Sequence, residues 1–174
     1  LSHDWQRYYG LLWAVGRKAG AISRQLLRLA IRVIPSEDLG KFICVALDDT
    51  PTARYGPQVE GAGIHRDPTP GPSGHQHLYG HVWVMLSWVI RHRVYGAIGL
   101  PIRSLLYIRR KTFDTPILRL RRPWAFRTKL ELAAELVEWV APWLAWLEKR
   151  LLVVVDGAYA KRPFLERVLA TGAI

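Results

Sequence analysis

Residues 151–165 read LLVVVDGAYAKRPFL, in which five aliphatic residues run straight into Asp156. Upstream, KFICVALDDTPT at 41–52 does the same, and its apolar run stops at Asp48 and Asp49. Two carboxylates brought together repel each other, and a divalent cation relieves that repulsion while both stay ionised. Carboxylate oxygens suit Mg²⁺ or Mn²⁺ better than they suit a thiolate-preferring metal. Two such ions roughly 4 Å apart can activate a water or a 3′-hydroxyl on one side of a phosphodiester and stabilise the leaving oxygen on the other. Each aspartate also has a plainer reading. Asp-Gly after a strand is a turn signal, and Asp49 is able to cap the turn that follows it.

For the carboxylates to meet, the elements carrying them must lie side by side. Residues 42–47 are all apolar without alternation, as in a strand buried on both faces of a helix-covered sheet. Residues 151–155 form a second strand, reached through a helical crossover at 128–149, so the two are expected to run parallel with their carboxyl ends at one edge. In that crossover Leu130, Ala134, Val137, Ala141, Leu144 and Leu147 mark one face, and Pro142 is expected to bend or split it. Two further strands, 81–90 and 94–102, flank the polar Arg91, His92 and Arg93 in a hairpin layout. The proline- and glycine-rich stretch 50–80 reads as loop or irregular hairpin. Residues 5–34 have the spacing of amphipathic helices, broken near Gly16 or Gly20. The basic stretch AKRPFLERVLA begins a last helix. The order is that of an α/β chain, with residues 1–36 as a helical segment at the end of an upstream region and 37–174 as the core.

The chain has 174 residues, 50% of them hydrophobic and 22% charged, enough for one domain with a real core. A formal charge of +11 favours an anionic partner, nucleic acid or an acidic membrane surface. The strand-end carboxylates have no place in a membrane reading, no segment is apolar enough to span a bilayer, and the first residues lack a secretory layout. A cytoplasmic, nucleoid-associated protein of a prokaryote is expected. The single cysteine, Cys44, excludes an intrachain disulfide and reads as a structural thiol.

Positive charge concentrates at 103–129, where Arg103, Arg109, Arg110, Lys111, Arg119, Arg121, Arg122, Arg127 and Lys129 face one acid, Asp114. Tracking DNA phosphates is the natural use of such a stretch. Lys161 and Arg162, just after Asp156, are placed to reach a phosphate beside the carboxylates. Trp124, among these cations, is the one tryptophan where base stacking is conceivable. His65, His75, His77 and His81, with Asp67, have spacings short enough for zinc but lack a cysteine pair or an HExxH helix. They support only a weaker alternative, a zinc hydrolase.

Four blocks in order, ALDDTPTARYGPQVEGAGIHRDPTPGP, YGHVWVMLSWVIRH, FRTKLELAAELVEW and VVVDGAYAKRPFL, resemble the DDE-type transposases of bacterial insertion sequences, in the DDE superfamily endonuclease group. The resemblance spans about residues 40–170. It implies an RNase H-like mixed sheet flanked by helices, two Mg²⁺ or Mn²⁺ ions, and cleavage and joining of double-stranded DNA at transposon ends and target, commonly by a homo-oligomer. On that pattern Asp48 and Asp156 are the catalytic metal ligands and Asp49 is the reserve choice. The third acid belongs on a later helix, and Glu166 lies too close to Asp156 to be it. With Leu1 in place of a start methionine and an ending just after a new element begins, the chain is expected to be a piece of a longer protein. Its core would then be incomplete at the C-terminus, lack one ligand and be inactive on its own. The competing reading is a catalytically inactive, DNA-binding remnant of a transposase.

Overall fold

A computed structural model describes residues 5–35, 39–56, 59–67, 74, 76–114 and 124–174. The chain divides into two compact units, 1–40 and 41–174. In the first, α1 (Trp5–Arg17) and α2 (Ala19–Val33) are separated at Lys18, between the two glycines where the break was expected. Each helix carries an arginine in its last turn, Arg17 and Arg32, which complements the negative end of its dipole.

The second unit is a mixed sheet of five strands among the described residues, β1 (Phe42–Ala53), β2 (Gly63–Arg66), β3 (His77–His92), β4 (Gly96–Tyr107) and β5 (Arg150–Val155). β3 is antiparallel to β1 on one side and to β4 and β2 on the other, while β5 lies parallel to β1. Beyond β5, Ile174 exchanges backbone hydrogen bonds with Leu151 and Val153. Helices α3 (Arg110–Phe113), α4 (Lys129–Ala145) and α5 (Arg162–Ala170) complete it. Four antiparallel strands followed by a helical crossover to a parallel fifth make an RNase H-like α/β fold, as the resemblance implied.

Alternation along the strands builds the core. Ile43, Val45 and Leu47 of β1 and Val84, Leu86 and Trp88 of β3 are buried on one face, where α4 presents Leu132, Leu136, Val137, Val140 and Leu144. Each such side chain contributes roughly 1.5–3 kcal/mol on full burial. Phe164 and Val168 of α5 are buried as well. α4 is started by a capping box: Thr128 Oγ1 accepts from the Glu131 backbone N–H at 3.2 Å, and the Glu131 carboxylate accepts from the Thr128 N–H at 2.6 Å.

Three expectations change. β1 does not stop at Asp48 but runs on to Ala53, because Asp48 through Ala53 pair with Met85 through Gly80 of β3. β5 has ended by then, so this extension has a sheet neighbour on one side only, a setting that tolerates Pro51. Within 50–80, β2 forms and β3 starts at His77, where ladder bonds override the turn residues. Finally, α4 passes through Pro142, which forfeits one backbone bond in the last turn without ending the helix there.

Gly80 shows how tightly this extension is built. A Cβ at that position would sit 2.1 Å from the Thr52 carbonyl oxygen and 2.9 Å from its carbon, both backbone atoms. Gly80→Ala is therefore expected to lower stability by about 1–3 kcal/mol. Gly99→Ala, whose Cβ would lie 3.6 Å from that of Ser87, is the control with little effect. Urea midpoints of the two variants beside the parent check this, and equal midpoints would refute the close approach.

Candidate active site

The parallel ladder sets Leu47 opposite Val155, so the next residues in register are Asp48 and Asp156. They stand level at the carboxyl end of β5. Both are exposed, and neither has a cationic partner among the described residues. Asp48 Oδ1 accepts from the Asp49 backbone N–H at 2.7 Å. Asp156 Oδ1 accepts from the N–H groups of Ala158 at 2.9 Å and Tyr159 at 3.2 Å. The turn role of Asp156 is thus real, but it occupies one oxygen.

Asp49 is placed differently. Alternation turns it to the face of Val45 and Leu47, beneath α4. There Lys129 Nζ, at the first position of α4, donates to Oδ2 at 2.6 Å, and the Tyr159 hydroxyl donates to Oδ1 at 3.1 Å. The Asp49 side chain keeps only 22% of its exposure. Lys129 also lies 5.6 Å from the centre of the Tyr107 ring. Burial, and then the charge and hydrogen bond of Asp49 with the charges of Asp48 and Asp156 behind it, push the Tyr159 phenol far above its ordinary range, so it stays a neutral donor. Neither Tyr159 nor the pairing of Lys129 was singled out from sequence. The signals that point to them are a tyrosine three residues after Asp156 and the Thr128-x-x-Glu131 box that fixes Lys129 at a helix start.

Part of the basic segment gathers at the same edge. Tyr107 ends β4 level with Val82 and Pro51, so α3 and its cations start there. Arg109 donates to the Ile64 carbonyl and ties β2 to the end of β4. Arg110 is exposed and lies 5.3 Å from the centre of the Phe126 ring, and Lys111 is exposed. Lys161 caps the start of α5, and Arg162 pairs with Glu166 at 2.7 Å on its exposed face. Arg119, Arg121 and Arg122 lie outside the described residues. Arg103 lies 4.7 Å from the centre of the Trp139 ring.

The histidines do not converge. His65 and His81 fall on opposite faces of the sheet, and both ring nitrogens of His81 are engaged, Nδ1 by Arg54 Nε at 3.2 Å and Nε2 with the Glu60 carbonyl at 2.8 Å. That leaves His81 no lone pair for zinc; His75 lies outside the described residues. Trp124 donates from its indole to Glu60 at 3.3 Å, a structural use of that side chain. No group of three His, Cys, Asp or Glu able to hold a metal ion occurs among the described residues.

The Asp48 and Asp156 pair nevertheless suits a hard divalent cation. Mg²⁺ keeps several waters and is commonly held by one or two carboxylates together with substrate phosphates. Exposed carboxylates at one register level, without a cationic partner among the described residues, meet that requirement. Asp49 instead has its charge paired with Lys129 and a hydrogen-bond donor on each oxygen.

A family model described as DDE superfamily endonuclease matches residues 3–173. No curated protein and no solved structure matches.

His65 gives the site region a pH dependence. It is buried, and its Nε2 has no hydrogen-bond partner among the described residues. Burial, then the charges of Arg109 and Lys129, lower its pKa to about 4. An unfolded histidine titrates near 6.5, so between that pH and about 4 the unfolded chain binds more protons than the folded one. Stability should fall as pH drops through this window, by at most about 1.4 kcal/mol per pH unit from this residue. His65→Gln should flatten that slope in urea titrations at pH 7, 6 and 5, and an unchanged slope would refute the assignment.

Proposed function

Because the chain belongs to the DDE superfamily endonucleases, we propose that it carries the catalytic core of a transposase, one that cleaves DNA phosphodiesters and joins the freed ends to target DNA. The observation that carries this reading is the level placement of Asp48 and Asp156 at the carboxyl end of parallel strands, exposed and without cationic partners among the described residues. A turn role accounts for one oxygen of Asp156, but not for two exposed aspartates side by side without a cationic partner among the described residues, in a chain of charge +11.

In this proposal Asp48 and Asp156 are the ligands for Mg²⁺ or Mn²⁺. Bound there, the metal supplies Lewis acidity for the attacking water or 3′-hydroxyl and for the leaving oxygen. The protein's own groups bind and orient the strand. Lys161 follows Asp156 at the start of α5, and Arg110 and Lys111 project from α3, so cations stand on both sides of the carboxylate pair to accept backbone phosphates. Arg162 can exchange its exposed pairing with Glu166 for a phosphate at small cost, since such surface pairs are worth about 0.2–1 kcal/mol. Arg109 serves the fold first, through its bond to Ile64. The partner is double-stranded DNA at transposon ends and target, handled by a homo-oligomer.

The absence of a three-ligand group among the described residues favours a second reading, an inactive DNA-binding remnant. Metal-dependent DNA retention separates the two. Salt-sensitive retention of plasmid DNA that Mn²⁺ strengthens and EDTA reverses, with Asp48→Asn or Asp156→Asn removing the Mn²⁺ effect, is the expected result. Retention indifferent to Mn²⁺ would select the remnant. Failure to retain DNA even at low salt would overturn both.

A further inference from the structure

Four hydrogen bonds join residues whose roles look separate. The Asp49 N–H donates to Asp48 Oδ1 at 2.7 Å, and the Asp49 carboxylate takes the Tyr159 hydroxyl at 3.1 Å. The Tyr159 N–H donates to Asp156 Oδ1 at 3.2 Å, and Lys129 Nζ holds the second oxygen of Asp49 at 2.6 Å. The chain of contacts therefore runs from Asp48 through Asp49 and Tyr159 to Asp156, with the first residue of α4 pinning its middle.

From this geometry we infer that Asp49 and Tyr159 are positioning residues that fix the Asp48 and Asp156 carboxylates at one separation, and that Asp49 is not itself a metal ligand. This rests on the metal-site reading above. Asp49 has its two oxygens committed, one to a cation and one to a phenol. A divalent ion taking either oxygen would compete with the hydrogen-bond donor already on it and with the charge of Lys129. Tyr159 is 2% exposed and packs at 6.3 Å against Phe164, which is 1% exposed, so its ring is immobilised by the core. A rigid ring with its hydroxyl on β1 and its own backbone N–H on Asp156 fixes the 156–159 turn relative to β1. Without it the turn would keep its Asp156 bonds but lose its attachment to the strand carrying Asp48. Two like charges held at a fixed spacing are a prepared site, whereas two free to splay apart would have to be gathered by the metal at a cost in affinity.

The test is calorimetric titration of the whole chain with Mn²⁺, each variant paired with a urea midpoint so that lost affinity is not mistaken for lost fold. Asp48→Asn and Asp156→Asn should abolish binding. Tyr159→Phe, which keeps the ring and removes only the hydroxyl, should weaken it about tenfold. Asp49→Asn keeps an amide oxygen for the Tyr159 hydroxyl and should lose no more than Tyr159→Phe does. The Asp49→Ala and Tyr159→Phe losses should not add when combined, since both break one bond. Parental affinity in Tyr159→Phe, or additive losses in the double variant, overturns this inference while leaving the metal site standing. So does an Asp49→Asn loss as complete as that of Asp48→Asn, which would make Asp49 a ligand. Parental affinity in Asp48→Asn and Asp156→Asn, or no uptake by the parent at millimolar Mn²⁺, overturns the site reading itself and this inference with it.

Discussion

The parallel ladder between β1 and β5, from Phe42 opposite Arg150 to Leu47 opposite Val155, is the constraint on which the rest depends. A slip of one residue would turn every side chain of one strand to the other face. Leu151 would leave the core, and Asp156 would lose its level with Asp48. The burial of Ile43, Val45 and Leu47 on one strand and of Leu151 on the other specifies the register, so hydrophobic packing sets the spacing of two charged groups that contribute nothing to it. Stability and chemistry are coupled here through geometry alone.

The unequal lengths of the two strands matter as much as their register. β5 ends where the carboxylates begin, while β1 continues for another strand's length against β3. The edge beyond Asp156 is therefore open, and the extension carries Pro51 without losing a ladder partner on that side. Gly80 lets β3 approach Thr52 closely enough to hold this overhang. The floor of the candidate site is a strand that, among the described residues, has a strand neighbour on one side.

Charge completes the arrangement. A chain of +11 attracts nucleic acid without discrimination, but a local pair of carboxylates opposes that field unless a cation compensates it. Of these three aspartates, only Asp49 is compensated by a cation among the described residues, Lys129, brought in through the capping box that starts α4. Helix capping, which belongs to folding, thereby separates Asp49 from Asp48 and Asp156.

The sequence was enough for the two apolar runs that end in aspartate, the helical crossover that makes their strands parallel, and the basic stretch after the hairpin, since each is a local pattern of residue types. It also carried the family blocks. Where β1 ends was not legible, because Pro51 and the polar residues after Asp48 read as a loop, and only the ladder with β3 extends the strand through them. That extension sets the two aspartates apart: in a continuing strand Asp48 and Asp49 must face opposite sides, and Lys129 and Tyr159 stand on the side of Asp49. Tyr159 stands 110 positions from Asp49 in the chain, and its reach depends on a turn and a helix packed by Phe164. Residue types and their order thus declared which carboxylates could do chemistry, whereas which of them stand exposed and which is paired with Lys129 and Tyr159 came from pairing register and long-range packing, which no local pattern encodes.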